Sequence, residues 1–220
     1  MKHFSAVIIL FALLLSLCAC GGNAETKAET PTDSALQSGS YSYALLEDGS
    51  VKITGYSCAD EIITLEIPAV IEGHPVTVIG EKAFAGVQNV TVVNVPDSLT
   101  AVEAQAFYQS KIKKVFMHMS ALTSIGAEAF SQCPELVQVD MPRSLTSIGD
   151  RAFAANENFS VAYFRGDVAD IAGNAFDSCP AVKVYALDTY TSIIAYCNEH
   201  SLQTKITETE PTTEFVFSTK

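Results

Sequence analysis

The chain is 220 residues long, 48% apolar and 17% charged, with a formal net charge of −12. That composition suits one folded unit with tails and speaks against a disordered polymer. The acid excess excludes a nucleic-acid partner, which needs clustered positive charge, and electrostatic adhesion to an anionic membrane.

Lys2 and His3 precede an apolar run from Phe4 to Leu17, interrupted by Ser5 and Ser16. The run is short for a membrane span and the right length for the core of an export signal. It ends in Leu17-Cys18-Ala19-Cys20-Gly21-Gly22, which resembles the lipoprotein box of exported bacterial proteins. That box places an aliphatic residue at −3 and a small one at −1 before the lipidated cysteine. Cys20 is the expected acceptor, because the alternative frame at Cys18 has Leu17 immediately before its cysteine. A diacylglyceryl group on Cys20 carries two chains, enough to hold the protein in a lipid bilayer. The competing expectation is an ordinary secreted protein cleaved nearby. Residues 1–19 therefore read as a signal peptide. Residues 20–40, rich in Glu, Thr, Ser and Ala around Pro31, bury too little to offset their ordering entropy and read as a flexible tether.

Residues 41–61 contain two alternating stretches around Glu47-Asp48-Gly49-Ser50, a strong hairpin signal. Behind them an octapeptide recurs: Thr77 to Phe84, Thr100 to Phe107, Thr123 to Phe130, Thr146 to Phe153 and, more weakly, Ala169 to Phe176. Phe84, Phe107, Phe130, Phe153 and Phe176 stand 23 residues apart, each behind an Ala and, five residues earlier, Ile79, Val102, Ile125, Ile148 or Ile171. A fixed period of this length is the mark of a leucine-rich-repeat-like solenoid. The expected fold is a right-handed coil over residues 62–187, one short parallel strand per repeat, with the first hairpin as N-terminal cap.

The strands follow the pattern apolar-x-x-apolar-x-apolar: Ile62 to Ile67, Val90 to Val95, Ile112 to Met117, Leu136 to Met141, Phe159 to Phe164 and Val182 to Leu187. In the octapeptide the Gly is expected to make a tight turn, the Ala a close backbone approach, and the Phe to fill the interior. The first coil is long, and its surplus around Glu72-Gly73-His74-Pro75 is expected to protrude. Residues 188–206 read as a C-terminal cap: a short helix through Ile193, Ile194 and Cys197, N-capped by Asp188-Thr189, then an extended segment. Residues 207–220 read as a polar tail in which Phe215-Val216-Phe217 could dock.

From Tyr41 to Ile206 these motifs resemble the BspA-type leucine-rich-repeat family of bacterial surface proteins. The features that carry the likeness are the Ile-Gly-x-x-Ala-Phe core, the Ile-Pro and Val-Pro strand endings, the Ile71 to Val76 lead-in and the Tyr190 to Leu202 cap. The resemblance implies an exported, surface-exposed module for binding or adhesion, its partner a surface or extracellular protein or glycan. It brings no catalytic residues and no cofactor. A structural spacer without a ligand of its own is the alternative, and an enzyme a distant third.

No hydrolase, metalloprotease or phosphate-loop motif is present, and His74, His118 and His200 are far apart in sequence. Cys58, Cys133, Cys179 and Cys197 read as buried free thiols: Cys133 and Cys179 sit two coils apart, roughly 10 Å, beyond disulfide reach. No cysteine pair has zinc-ligand spacing. Strand alternation turns one column outward, Glu66, Asn94, Phe116, Asp140, Tyr163 and Ala186, beside a second, Thr64, Val92, Lys114, Gln138, Val161 and Val184. Phe116 and Tyr163, with Lys114, His118 and Arg165 around them, are therefore the expected ligand-binding residues, and the loop around His74 the next place to look.

Overall fold

The computed structural model describes residues 36–38, 40–58 and 62–209. The expected signal peptide, Cys20, most of the tether and the Phe215-Val216-Phe217 stretch lie outside the described residues. In chain order the elements are β1 (Leu36–Ser38), β2 (Tyr41–Leu45), β3 (Val51–Tyr56), β4 (Ile62–Glu66), β5 (Val70–Ile71), β6 (His74–Ile79), β7 (Val90–Asn94), β8 (Ala101–Val102) and β9 (Lys114–Phe116). They continue with β10 (Ser124–Ile125), β11 (Gln138–Met141), β12 (Ser147–Ile148), β13 (Val161–Phe164), β14 (Asp170–Ile171), β15 (Lys183–Leu187), α1 (Thr191–Glu199) and β16 (Gln203–Thr207).

The pattern apolar-x-apolar makes the longer strands, which stack in the order β16-β15-β13-β11-β9-β7-β4 as one seven-stranded sheet. The Ser-Ile or Ala-Val pair of the octapeptide makes a second, two-residue strand in each coil. These join the N-terminal elements in a nine-stranded sheet, β1-β2-β3-β6-β8-β10-β12-β14, with β5 on β6. Coil pairs with coil in parallel, as in Val93↔Val115↔Val139↔Ala162, so the fold is the expected parallel solenoid.

β2 and β3 form the expected antiparallel hairpin, with Gly49 at φ 80°. β1 adds to it from within the stretch read as tether. The surplus of the first coil closes as a second hairpin between β5 and β6, with Glu72 and Gly73 both left-handed (φ 50° and 86°), as a tight two-residue turn requires. His74 Nδ1 lies 2.7 Å from the Gly49 carbonyl and ties the two hairpins together.

The interior is built around the repeat phenylalanines. Phe84, Phe107, Phe130 and Phe153 are at most 1% exposed. From Phe84 to Phe176 the rings stack in offset fashion, with centroids 4.9, 5.0, 5.3 and 5.3 Å apart. Tyr56 continues the ladder at one end (5.2 Å) and Tyr196 at the other (6.1 Å). At the C-terminal end a tyrosine suits the position, since its hydroxyl finds polar partners where the aromatic column stops. Tyr196 donates to the Ala172 carbonyl at 3.2 Å.

The Ile-Gly-x-x-Ala-Phe turn works differently from the sequence expectation. The left-handed residues are the one before the Ala in the first four repeats, Lys82, Gln105, Glu128 and Arg151, and the one two after each Phe, Gly86, Gln109, Gln132, Ala155 and Ser178. Gly126 and Gly149 are needed instead for close approach of coils. A Cβ on Gly126 would lie 2.6 Å from the Ala104 nitrogen, and one on Gly149 2.8 Å from the Ala127 nitrogen. Gly126→Ala is expected to cost about 1–3 kcal/mol through overpacking, read as a lowered urea midpoint. Where the coil of Phe107 carries Glu103 at this position, the carboxylate accepts from the Glu81 N–H (3.0 Å) and Lys52 Nζ (3.2 Å).

Three residues after Phe130, Phe153 and Phe176 a polar side chain points inward and serves the Phe carbonyl of the coil before. Cys133 Sγ donates to Phe107 O at 3.1 Å, Asn156 Nδ2 to Phe130 O at 2.8 Å and Cys179 Sγ to Phe153 O at 2.9 Å. The two thiols are separated by Asn156, and all four described cysteines are free. Cys58 departs from expectation in being only half-buried. Burial pushes the thiols of Cys179 and Cys197 from 9.0 up to about 11. Native-state alkylation at pH 8 should therefore mark Cys58 and spare Cys133, Cys179 and Cys197 until denaturant is added, as read by peptide mass spectrometry. Unfolded thiols ionise near 9 and these two near 11. The stability from burying them neutral is complete below about pH 9 and is lost as pH rises towards 11.

The C-terminal cap is the expected helix and strand, but its N-cap comes from elsewhere. Asp188 and Thr189 do not cap α1. Asp167, one coil earlier, accepts from the Ser192 and Ile193 N–H groups at 3.0 Å each. A carboxylate at a helix N-terminus satisfies free N–H groups and the positive dipole end together.

Candidate functional site

The outward face of the seven-stranded sheet is set by strand register. One column runs Glu66, Asn94, Phe116, Asp140, Tyr163, Tyr185, Lys205, and its neighbour Thr64, Val92, Lys114, Gln138, Val161, Lys183, Gln203. This corrects the expectation for the last coil by one residue. Ala162 pairs with Val184, not Tyr185, so Val184 and Ala186 turn inward (0% and 2% exposed) and Tyr185 turns out. A one-residue slip exchanges the two faces of a strand, and here the coil is one residue short.

Lys114, Phe116 and His118 meet as expected. They line a hollow of about 450 Å³ with Val92, Val95 and Met119. Met119, 69% exposed, stands at its rim and Asp97 adds a carboxylate. The surface of the lining is mainly apolar, with Lys114 and Asp97 as its charged groups and Thr64 and Asn94 beside them.

Tyr163 and Arg165 do not line that hollow, and neither is exposed as expected: they are 6% and 9% accessible. The cause is Asp140, which points outward between Phe116 and Tyr163 yet is wholly covered. Arg165 reaches back over it with a two-pronged ion pair, Nε to Oδ1 at 2.7 Å and a terminal nitrogen to Oδ2 at 2.8 Å. His118 Nδ1 stands 3.5 Å from the same Oδ2. Burial, then Tyr185 and Asp140, push the pKa of the Tyr163 hydroxyl up, so that it holds its proton more firmly. Arg165 and Asp140 thus brace the face from beneath, while His118 is partly open to the hollow. His118 Nδ1 has no hydrogen-bond partner among the described residues.

The pair that sequence reading missed lies at the far end of the face. Tyr185 packs on Tyr163 with ring centroids 4.6 Å apart, and Lys205 Nζ sits 5.6 Å from the Tyr185 ring centre. Counting back from the C-terminal strand rather than forward from the repeats would have exposed Tyr185. His74, the loop candidate, is engaged with Gly49 and lies away from this face. A larger concavity of about 630 Å³, against Phe176, Tyr196 and His200, contains none of the expected binding residues.

Residues 56–205 match the BspA type leucine rich repeat region in 6 copies. The chain belongs to the BspA-type leucine-rich repeat family. Among solved structures it is similar to the T. pallidum leucine-rich repeat protein TpLRR, at 24% identity and a TM-score of 0.54 over 67% of this chain and 69% of that one. It is also similar to the pneumococcal vaccine antigen PcpA, at 18% identity and TM-score 0.56, over 70% of this chain and 50% of that one. A leucine-rich repeat protein from Bacteroides ovatus gives 22% identity and TM-score 0.50, over 69% and 47%. The BspA-type chain thus spans about half the length of the last two, and at these identities the likeness is one of fold. No curated protein matches it in sequence.

Proposed function

We propose that this BspA-type chain is a binding module displayed outside the cytoplasm, which holds a protein partner on the outward face of the seven-stranded sheet and performs no catalysis. The observation that carries the reading is the concentration of open binding chemistry on that face: the hollow at Phe116 and Met119, the Tyr185 ring and the surrounding lysines. Aromatic and cationic anchors on a rigid platform give contact area at little entropic cost. Among the described residues no helix is long and apolar enough to cross a membrane. The proposed means of display is a lipid on Cys20, which rests on the Leu17-Cys18-Ala19-Cys20 motif alone.

A photoreactive phenylalanine at position 116 or 185 tests the face. Crosslinked partner should form from these positions and not from 128 or 151 on the turn side. Crosslinks from the turn side alone would move the site, and none from either would leave the spacer reading. Anchoring is tested separately: a fatty-acid probe should label the wild type and not Cys20→Ala, and equal labelling of both would refute it.

A further inference from the structure

On a protein of net charge −12 a lysine ordinarily has a carboxylate close by. Lys52, Lys82, Lys113, Arg151 and Arg165 conform, pairing with Glu103, Glu81, Glu135, Glu128 and Asp140. Lys114, Lys183 and Lys205 have no ion-pair partner among the described residues, and all three stand on the outward face of the seven-stranded sheet. Lys111 shares that condition away from the face's two columns. The carboxylates of the face lie away from the strands of Lys183 and Lys205: Asp140 is taken by Arg165, Glu66 on β4 accepts from Asn94 at 2.6 Å, and Asp97 stands at the hollow on the β7–β9 side, three strand spacings from Lys183. The β15–β16 end of the face, with Lys183 and Lys205 and no carboxylate paired to them among the described residues, is complementary to an acidic group on a ligand.

The apolar hollow says what kind. Val92, Val95, Phe116 and Met119 give it most of its surface, with polar groups such as Asn94 and Asp97 beside them, which suits a hydrophobic side chain better than a sugar ring bristling with hydroxyls. From the hollow on β9 to Lys183 on β15 and Lys205 on β16 are three and four strand spacings, about 14–19 Å at ~4.8 Å each. An extended peptide covers that distance in about four to six residues. We infer that this face takes an extended acidic protein segment, its apolar anchor in the hollow at Phe116 and Met119 and its carboxylates, four to six residues on, at Lys183 and Lys205. The inference rests on the sheet face being the binding face and adds the chemistry and spacing of what it binds.

A fluorescein-labelled peptide with Phe-Leu, four Ser or Thr residues and Glu-Asp-Glu, titrated with the full chain and followed by anisotropy, tests it. Binding should weaken at least tenfold in Lys183→Glu/Lys205→Glu, at least tenfold when Phe-Leu becomes Ser-Ser, and about tenfold between 50 and 500 mM salt, as a contact of about two charges should. Lys111→Glu should bind as the wild type does. Lys183 is half-exposed and Lys205 exposed, so the double variant should melt unchanged. Equal binding of a Gln-Asn-Gln peptide, or by the charge-reversed variant, would overturn the inference. So would binding of polygalacturonate in place of the peptide, which would leave the face standing with a glycan on it. Failure of crosslinking at 116 and 185 would remove the face itself, a separate result from failure of the acidic peptide.

Discussion

Phe130→Ala is expected to destabilise the protein by about 3–5 kcal/mol, the range for truncating a buried Phe. Phe130 is 0% exposed and sits mid-ladder, stacked on Phe107 at 5.0 Å and on Phe153 at 5.3 Å. The hole left behind has little chance to close. Coil spacing is held by backbone bonds on both sides, Phe107 N–H to Ala129 O and Phe130 N–H to Ala152 O, each 2.7 Å. The cost should therefore fall in the upper part of the range. In a repeat array each coil touches only its neighbours, so a break mid-array can split the unfolding into two steps. A denaturant melt reads both midpoint and slope. A loss under about 1 kcal/mol would contradict the ladder.

Arg165→Met is expected to cost a comparable amount, about 3–5 kcal/mol, because it strands a buried carboxylate. Asp140 is completely covered and Arg165 supplies two short hydrogen bonds to it, while His118 at 3.5 Å is too long a contact to take over. The double variant Asp140→Leu/Arg165→Met should recover most of the loss, since replacing both partners with apolar groups of similar size is often close to neutral. The pair's coupling is read from the double-mutant cycle. A single variant that loses less than about 1 kcal/mol would mean that water reaches Asp140.

Repetition is what made the fold legible. One Phe at a 23-residue period is weak evidence, but five copies with matching Ala and Ile positions leave one way to bury them all, coil on coil. The same logic placed Lys114 and Phe116 on one face, because both lie within the paired strand β9. It failed where the repeat decays. At Val182 to Leu187 the apolar pattern fits two registers, and only pairing with β13 selects the one that exposes Tyr185. It failed again at Asp140, Tyr163 and Arg165, since alternation says which way a side chain points and nothing about what later folds over it.

By itself, the sequence determined the period, the inward set of Ile, Ala and Phe, and the capping hairpin and helix, all of which follow from local patterning repeated in register. Only the tertiary structure decided the covering of Asp140 by Arg165, the capping of α1 by Asp167 and the role of the repeat glycines. Each joins residues a full coil apart, at 25, 25 and about 22 positions in sequence. Such contacts have no local signature: they exist because stacking brings one coil's backbone to within hydrogen-bonding distance of the next, and the side chains at that spacing then settle which charges are buried and which lysines are left facing outward.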